Sequence, residues 1–160
     1  MNDGLNQKGS DVKEIIVWCD KYATGIEKID AQHLHLVNLT NQLYTACFAP
    51  KDELQSVFKE AMSRMVEYVR FHFDDELKIL HAINYPDFQN HKKMHHTLVK
   101  QILDAVKGYE EGKNHVPNNF VRTLVDWVFS HIAFYDKQYS LFAMRQLKDG
   151  ALTLSELRAI

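Results

Sequence analysis

The sequence has little cysteine, proline or glycine, with two, three and six of these residues in a chain of 160. Neither Cys19 nor Cys47 belongs to a Cys-x-x-Cys motif. A fold held together by disulfide bonds is therefore not predicted. A reducing compartment suits two unpaired thiols, and we expect the protein in the cytoplasm.

Long apolar runs and an excess of positive charge are also missing. The apolar run at residues 15–19 is far too short to span a bilayer. Residues 1–11 are polar and lack the apolar core of a signal peptide. The formal net charge is −2, so the chain shows no basic footprint for nucleic acid. We expect a soluble protein without membrane insertion and without a nucleic-acid partner.

The length and the composition are those of one ordinary globular domain. Hydrophobic residues make up 46% of the chain and charged residues 25%. A chain of this length can bury roughly 68–70% of its unfolded surface. We expect a single domain over 1–160, divided into a flexible N-terminus (1–14), an arm (15–29), a helical bundle (30–147) and a C-terminal tail (148–160).

Four long amphipathic segments are the main structural signal in the sequence. Prolines and glycines separate these segments, and the connections between them are short. The predicted fold is therefore all-α, an up-down-up-down four-helix bundle. The motif Thr153-x-x-Glu156 resembles a capping box and predicts a short final helix. The four predicted helices run from about Asp30 to Phe48, from Asp52 to about His81, from Asn84-Tyr85-Pro86 to about Glu110, and from Pro117 to about Leu147.

Histidines and carboxylates occur in four groups, one on each predicted helix. The groups are His33, His72-x3-Glu76, His91-x3-His95 and His131-x4-Asp136. A spacing of four residues places two side chains on one face of a helix, one turn apart. The second and third groups can therefore each approach a common point from one helix.

The fourth group has a less favourable spacing. On an ideal α-helix, side chains five residues apart diverge by about 140°. Either Asp136 reaches back toward the seam of the bundle, or the helix widens locally around His131, as π-bulges at functional sites do.

Each group alone has an ordinary structural explanation. A single inward histidine is more often a hydrogen-bonded core residue than a ligand, and a His-x3-Glu pair can lie on the surface. Together the groups differ, because burying them all in one core without compensation would cost several kcal/mol. Imidazole and carboxylate suit a transition metal such as iron. Seven ligands exceed the four of one tetrahedral zinc, so we expect two metal ions that share the carboxylates.

The other histidines are expected on the surface, because the positions of three of them turn away from the four groups and His115 lies in a loop. These residues are His35, His81, His96 and His115. Cys47 falls on the face of His33 but about four turns away, so we expect a small core residue there and not a ligand.

The flanking residues add a resemblance to a known family. The sequence over residues 15–140 resembles bacterial hemerythrins, because the order, the spacing and the neighbours of all seven positions agree with that family. The matching motifs are Trp18…Gly25-Ile26-x2-Ile29-Asp30-x-Gln32-His33, His72-Phe73-x2-Glu76, Tyr85-Pro86, His91-x3-His95 and Trp127-x3-His131-Ile132-x3-Asp136.

This resemblance implies a non-haem centre of two iron ions, bridged by Glu76, Asp136 and a solvent-derived oxo or hydroxo group. It assigns three histidines to one iron and two to the other, which would keep an open position for dioxygen. The three are His91, His95 and His131, and the two are His33 and His72. It further implies an apolar ligand pocket walled by Leu36, Phe73, Trp127, Val128 and Ile132.

The expected function is reversible dioxygen binding, as a carrier, store or delivery protein and not as an enzyme. Five imidazoles and two carboxylates carry less negative charge than the four glutamates and two histidines of ferritin-like centres, and this favours binding over oxidation. Three alternatives stay open, in this order. They are a sensor of oxygen, nitric oxide or redox state acting through a separate protein partner, an oxidoreductase that consumes peroxide or nitric oxide, and a protein that stores or donates iron.

Overall fold

Residues 14–159 are described in a computed structural model, and all regular elements within this range are helical. The helices are connected by short turns, and a π-helical segment lies within the fourth long helix. The elements are α1 (Glu27–Ala46), α2 (Lys51–Ala82), α3 (Phe88–Glu110), α4 (Val116–Trp127), the π segment (Val128–Asp136), α5 (Lys137–Lys148) and α6 (Leu154–Ala159).

The long helices close into a four-helix bundle. α1 packs against α2 and α4, and α3 packs against α2 and α4, so each helix has two neighbours. The fourth helix of the bundle is the continuous run of α4, the π segment and α5. The predicted all-α four-helix bundle is therefore confirmed.

The first helix begins three residues earlier than predicted, at Glu27 instead of Asp30. An aspartate often caps a helix from just outside it. Here the Asp30 carboxylate lies inside the first turns and accepts hydrogen bonds from the backbone N–H groups of Thr24 (2.6 Å) and Gly25 (3.0 Å). The aspartate thus ties the incoming chain to the helix, and Ile26 takes the capping position.

The connection between α2 and α3 also differs from the prediction. Asn84 has a φ of 52°, the left-handed conformation that ends many helices. The next backbone N–H, that of Tyr85, donates to the carbonyl of Leu80 (2.9 Å). The sequence predicts that the third helix begins at Asn84-Tyr85-Pro86. Instead, Pro86 lies in the turn that follows Tyr85, and α3 begins only at Phe88.

The chain ends in a capped helix, as the sequence predicts. Gly150 has a φ of 72°, which few residues other than glycine adopt, and the chain turns there after α5. The backbone N–H of Thr153 donates to the Glu156 carboxylate (2.8 Å), and the N–H of Glu156 donates to the Thr153 hydroxyl (3.2 Å). This reciprocal pair is the predicted capping box, and it opens α6.

The segment before α1 lies along the bundle. Asn41 of α1 accepts hydrogen bonds from the backbone N–H groups of Ile15 and Ile16, both at 3.0 Å, and donates to the carbonyl of Ile16 (2.8 Å). Further on, the Lys137 ammonium donates to the carbonyl of Ala23 (2.6 Å). The segment is therefore held by side chains of the first and the last long helices.

Two apolar clusters fill the core and leave a polar layer between them. The larger cluster includes Leu36, Phe73 and Ile132, and the smaller one includes Leu80 and Tyr139. On α2 the chain passes from one cluster to the other at residues 73–80, and on the fourth helix at residues 132–139. The candidate metal ligands occupy the interval between the two clusters.

Candidate metal centre

The seven histidines and carboxylates singled out in the sequence are all buried in this layer. None has more than 2% of its surface exposed. α1 contributes one residue, α2 and α3 two each, and the π segment the last two. They are His33, His72, Glu76, His91, His95, His131 and Asp136.

Three histidines surround one oxygen of Glu76 at one side of the layer. The distances from Glu76 Oε2 are 2.9 Å to His95 Nε2 and 3.3 Å to His91 Nε2. His131 Nε2 lies 3.1 Å from His95 Nε2. One ligand atom from each of these four residues lies within 4.8 Å of all the others, a separation that one metal ion can bridge.

Two histidines form the other side of the layer. One ligand atom from each of His33, His72 and Glu76 lies within the same 4.8 Å limit. His72 Nε2 is 3.8 Å from Glu76 Oε2, and His33 Nε2 is 3.3 Å from Asp136 Oδ2. The Glu76 carboxylate therefore belongs to both groups of donor atoms.

Asp136 also lies between the two groups. Its Oδ2 atom faces His33, whereas its Oδ1 atom lies 3.1 Å from His131 Nε2 and 3.5 Å from His91 Nε2. The π segment makes this arrangement possible. Its i→i+5 hydrogen bonding brings residues five apart to one turn apart, so His131 and Asp136 point to the same side of the helix. Local widening, one of the two solutions offered by the sequence, is the one adopted.

The carboxylates are held in their charged form. Burial raises the pKa of Glu76, but hydrogen bonds from His91 and His95 outweigh it and leave the pKa well below its usual range. Burial and the nearby Glu76 raise the pKa of Asp136, but His131 and His33 outweigh them and lower it to about 2. The layer thus contains two buried negative charges.

The surroundings of three histidines shift their pKa values in different directions. Burial lowers the pKa of His72 to about 3, and it also lowers the pKa of His95. Burial acts on His91 in the same direction, but the hydrogen bond with Glu76 outweighs it and raises the pKa. Neutral imidazole is the form that binds a metal ion, so His72 and His95 are in the state that ligation requires.

Many polar atoms of the layer have no hydrogen-bond partner within the described part of the chain. Buried polar groups are almost always paired, so such a concentration calls for a compensating group. Two buried carboxylates and five imidazoles with open lone pairs fit one or two divalent transition-metal ions. The unpaired atoms are Nδ1 and Nε2 of His33, Nε2 of His72, Oε1 of Glu76, Nδ1 of His95 and of His131, and both carboxylate oxygens of Asp136.

Aromatic rings pack directly on the layer. Phe73 stacks on His95 with ring centroids 3.8 Å apart, and Trp127 stacks on His131 at the same distance. Leu36, Val128 and Ile132, which complete the pocket predicted from the resemblance, are fully buried in the adjoining apolar cluster. Their role as walls of a ligand pocket stays a prediction.

The structure also places residues at the layer to which the sequence assigned no role. Gln32 forms a hydrogen bond with the outer nitrogen of His72, and it also contacts Asp75. Each of these residues directly precedes a candidate ligand, so their position in the sequence was a usable signal. Tyr68 and Tyr139 are buried beside the layer, where burial and then the Glu76 carboxylate raise the pKa of both phenols well above the usual value.

The remaining histidines and the cysteines lie outside the layer. His35, His81, His96 and His115 are all exposed, as expected. Cys47 is half-buried against the larger apolar cluster, and both cysteines are free. Within residues 14–159, no helix has the length and apolar character needed to cross a membrane.

Residues 24–140 match the model of the family described as the Hemerythrin HHE cation binding domain. The chain is similar to a bacteriohemerythrin of Stenotrophomonas maltophilia, with 25% identity over 126 residues, 79% of this chain and 80% of the relative. It is also similar to the bacteriohemerythrin of Methylococcus capsulatus, with 28% identity over 120 residues, which cover 74% of this chain and 88% of the relative.

Animal and structural relatives agree with these matches. A myohemerythrin of Theromyzon tessulatum is 24% identical over 131 residues, 81% of this chain and 94% of that protein. The fold is similar to the crystal structure of a hemerythrin mutant, with a TM-score of 0.69 and 27% identity, covering 81% of this chain and 97% of the other.

Proposed function

This chain belongs to the hemerythrin family, and from that premise we propose that it binds dioxygen reversibly at a centre of two iron ions. The observation that carries the proposal is the buried layer itself. Five imidazoles and two carboxylates converge there, and most of their inner atoms have no partner within the described chain. The relatives are described as bacteriohemerythrins and a myohemerythrin, which agrees with this proposal.

The donor atoms form two unequal groups. We propose that His91, His95 and His131 hold one iron, and that His33 and His72 hold the other. The Glu76 and Asp136 carboxylates, which face both groups, would bridge the two ions. The two-histidine side has one protein donor fewer, and this difference would leave a position for a small ligand.

When bound, the two irons would supply the redox electrons and the Lewis-acid positions that hold dioxygen. On the three-histidine side, Phe73 and Trp127 stack on two of the histidines and would limit the access of water to the centre. Phe73, Trp127 and Ile132 present apolar surface next to the layer, and none of them carries a group that can act as a general acid or base.

Two shallow depressions bring the protein surface close to the layer. One, of about 420 Å³, includes Tyr68 and His72 in its lining, and the other, of about 270 Å³, includes Trp127 and His131. A larger groove of about 950 Å³ lies between α2 and α3 at the far end of the bundle, and no candidate ligand lines it. Small diatomic molecules would reach the layer by the first two.

An absorption experiment tests the proposal. The full chain, loaded with Fe²⁺ without oxygen, is measured before exposure to air, in air, and after purging with argon. Reversible binding predicts a visible charge-transfer band that appears in air and fades on purging. His33→Gln should abolish this reversible band, whereas His35→Gln, a change at an exposed histidine two residues away, should leave it intact.

Other outcomes favour other functions. A spectrum that changes once in air and does not return on purging contradicts reversible binding and favours a redox enzyme or a sensor. Repeated consumption of peroxide or nitric oxide with a reductant would identify an oxidoreductase. No iron-dependent band at all would contradict the metal centre itself.

A further inference from the structure

A chain of hydrogen bonds leads from the protein surface to one of the candidate iron ligands. His72 Nδ1 lies 2.9 Å from the side-chain oxygen of Gln32. The side-chain nitrogen of Gln32 donates to Asp75 Oδ2 at 2.8 Å. Lys28, which is half-exposed, holds the other oxygen of Asp75 at 3.0 Å. The hydrogen-bond network therefore runs from Lys28 through Asp75 and Gln32 to the buried imidazole of His72.

The direction of each hydrogen bond follows from the groups involved. A carboxylate paired with a lysine can only accept, so the NH2 group of Gln32 must face Asp75. The carbonyl oxygen of Gln32 then faces His72, and it too can only accept. His72 must therefore carry its proton on Nδ1, which leaves the lone pair of Nε2 directed into the layer, 3.8 Å from Glu76 Oε2.

His72 differs in this respect from most of the other candidate ligands. The Nδ1 atoms of His33, His95 and His131 have no hydrogen-bond partner among the described residues. The ring of His72 is also held by stacking, because Tyr68 lies on it with centroids 4.8 Å apart and an interplanar angle of 22°. Both the tautomer and the orientation of this imidazole are thus controlled from outside the layer.

We infer that Gln32 is a positioning residue that holds His72 in the Nδ1–H tautomer, and that the Asp75 carboxylate, which is paired with Lys28, sets the direction in which the Gln32 amide points. The inference rests on the proposed function, because it assigns the network to the two-histidine iron, where a small ligand would bind. A carboxylate near the surface would thereby determine whether a buried imidazole can donate its Nε2 lone pair to the metal.

Iron retention in the full chain is the first measurement. Removing a hydrogen-bond partner of a metal-binding histidine typically weakens metal affinity 10–100-fold. Gln32→Met keeps the length of the side chain but loses the amide. We expect a chelator to remove one of the two irons roughly 10–100 times faster from this variant, and the other at the unchanged rate. Gln42→Met, a change at an exposed glutamine on the same helix, is the matched control.

The tautomer of His72 is the second measurement, and it needs no iron. Two-bond ¹H–¹⁵N correlation spectra of the metal-free full chain distinguish Nδ1–H from Nε2–H, and His72→Gln assigns the signal. We expect the Nδ1–H form in the unaltered chain, a mixture in Gln32→Met, and the Nδ1–H form again in Gln32→Glu, whose carboxylate still accepts.

Reversing the surface ion pair tests the direction in which the hydrogen bonds between Asp75, Gln32 and His72 point. In the double variant Lys28→Asp with Asp75→Lys, the ion pair is kept, but the new lysine donates to the carbonyl of Gln32. The amide then turns its NH2 group toward His72, which favours the Nε2–H form. Lys28→Met keeps Asp75 as the acceptor, and we expect the tautomer of the unaltered chain.

Two results would overturn the inference. One is an unchanged tautomer and an unchanged iron release in Gln32→Met and in the double variant. The other is an equal loss of both irons together with a general loss of stability, which would indicate a merely structural glutamine. If the unaltered chain binds no iron, the proposed function fails, whereas the tautomer comparison on the metal-free chain still decides the role of Gln32.

Discussion

Glu76 and Asp136 each face both groups of histidines, and this position distinguishes them from the single histidines around them. Glu76 Oε2 is within 4 Å of His91, His95 and His72, and the two oxygens of Asp136 face His131 and His33. A ligand that bridges two ions supports both of them, whereas a terminal histidine supports one. Substitutions at the two kinds of position should therefore have different effects on metal content.

Glu76→Gln is expected to lower the iron content from two ions per chain to below one, because it removes a buried charge that faces both groups. His33→Gln is expected to leave about one ion, held by the three-histidine group. Colorimetric iron analysis of the reconstituted chains measures this difference, and circular dichroism verifies that the variants are folded. Equal iron content in the two variants would contradict the bridging role.

The pKa of His72 leads to a prediction for the metal-free chain. The folded pKa is about 3, whereas an unfolded histidine has a pKa near 6.5. Between about pH 3 and pH 6.5 this histidine binds a proton in the unfolded chain but not in the folded chain. The free energy of unfolding therefore decreases as the pH falls below about 6.5. The raised pKa of His91 has the opposite effect, because it stabilises the folded chain at low pH. This contribution is complete below about pH 6.5 and decreases only as the pH rises above that value.

Urea unfolding of the metal-free chain at pH 7 and pH 5 measures this effect. At about 1.4 kcal/mol per pKa unit, His72 should contribute a loss of about 2 kcal/mol between these conditions. His72→Gln removes the titrating group and should reduce the loss by roughly that amount. A variant that loses as much stability as the unaltered chain would show that His72 is not the group responsible.

At the scale of the element, the π segment decides how the fourth helix meets the layer. Its nine residues, Val128–Asp136, lie between two ordinary α-helices of 12 residues each. Hydrogen bonds in a π-helix join residues five apart, whereas those in an α-helix join residues four apart. The π segment therefore acts like the insertion of one residue into an α-helix. The insertion brings His131 and Asp136 to the same side of the helix, while Tyr139 of α5 lies in the smaller apolar cluster with Leu80 of α2.

Removing one residue from this segment should therefore be better tolerated than adding one. Deletion of the exposed Phe134 would place the histidine and the aspartate four apart, which an α-helix aligns on one face. Insertion of an alanine after Phe134 would place them six apart, where side chains on an ideal α-helix diverge by about 120°, and the π segment, which widens the helix by one residue, could no longer align them. We expect the deletion variant to keep its helicity and most of its iron, and the insertion variant to lose the iron. Iron analysis and circular dichroism on both variants measure this, and the reverse order of tolerance would contradict the role assigned to the π segment.

At the scale of the whole molecule, the polar layer separates two apolar clusters that otherwise would form one core. Two anionic carboxylates in this layer destabilise the fold unless positive charge accompanies them. Metal ions would provide that charge, so stability and metal content should be linked.

Iron loading is expected to raise the thermal midpoint of the full chain by at least about 5 °C. A ligand present at 100 times its dissociation constant adds about 2.7 kcal/mol, and 1 kcal/mol shifts the midpoint of a chain of this size by about 2–4 °C. Anaerobic thermal unfolding followed by circular dichroism measures the shift. The His33→Gln variant, with one iron site fewer, should show a smaller shift of the thermal midpoint. An unchanged midpoint in the unaltered chain would contradict metal binding by the layer.

Much of this molecule could be predicted from its sequence, because the determining signals are local. Hydrophobic periodicity identified four long helices, and spacings of four and five residues identified the histidine and carboxylate pairs on three of them. The unusual spacing of His131 and Asp136 required either a reach by Asp136 or a local widening of the helix, and the π segment shows that the helix widens. Helix ends were less predictable, since Asp30 and Pro86 form contacts with residues outside the local pattern or lie in turns next to it.

What the sequence by itself determined is the set of helices, the faces they bury and the chemistry of the seven candidate ligands, because each depends on neighbours within one or two turns. Only the tertiary structure decided which atoms meet. The family resemblance implied the division into three and two histidines, but the distances between their donor atoms and the carboxylates, and the link from Lys28 through Asp75 and Gln32 to His72, join different helices. Such contacts depend on how four helices pack in three dimensions, and no spacing along one helix contains that information.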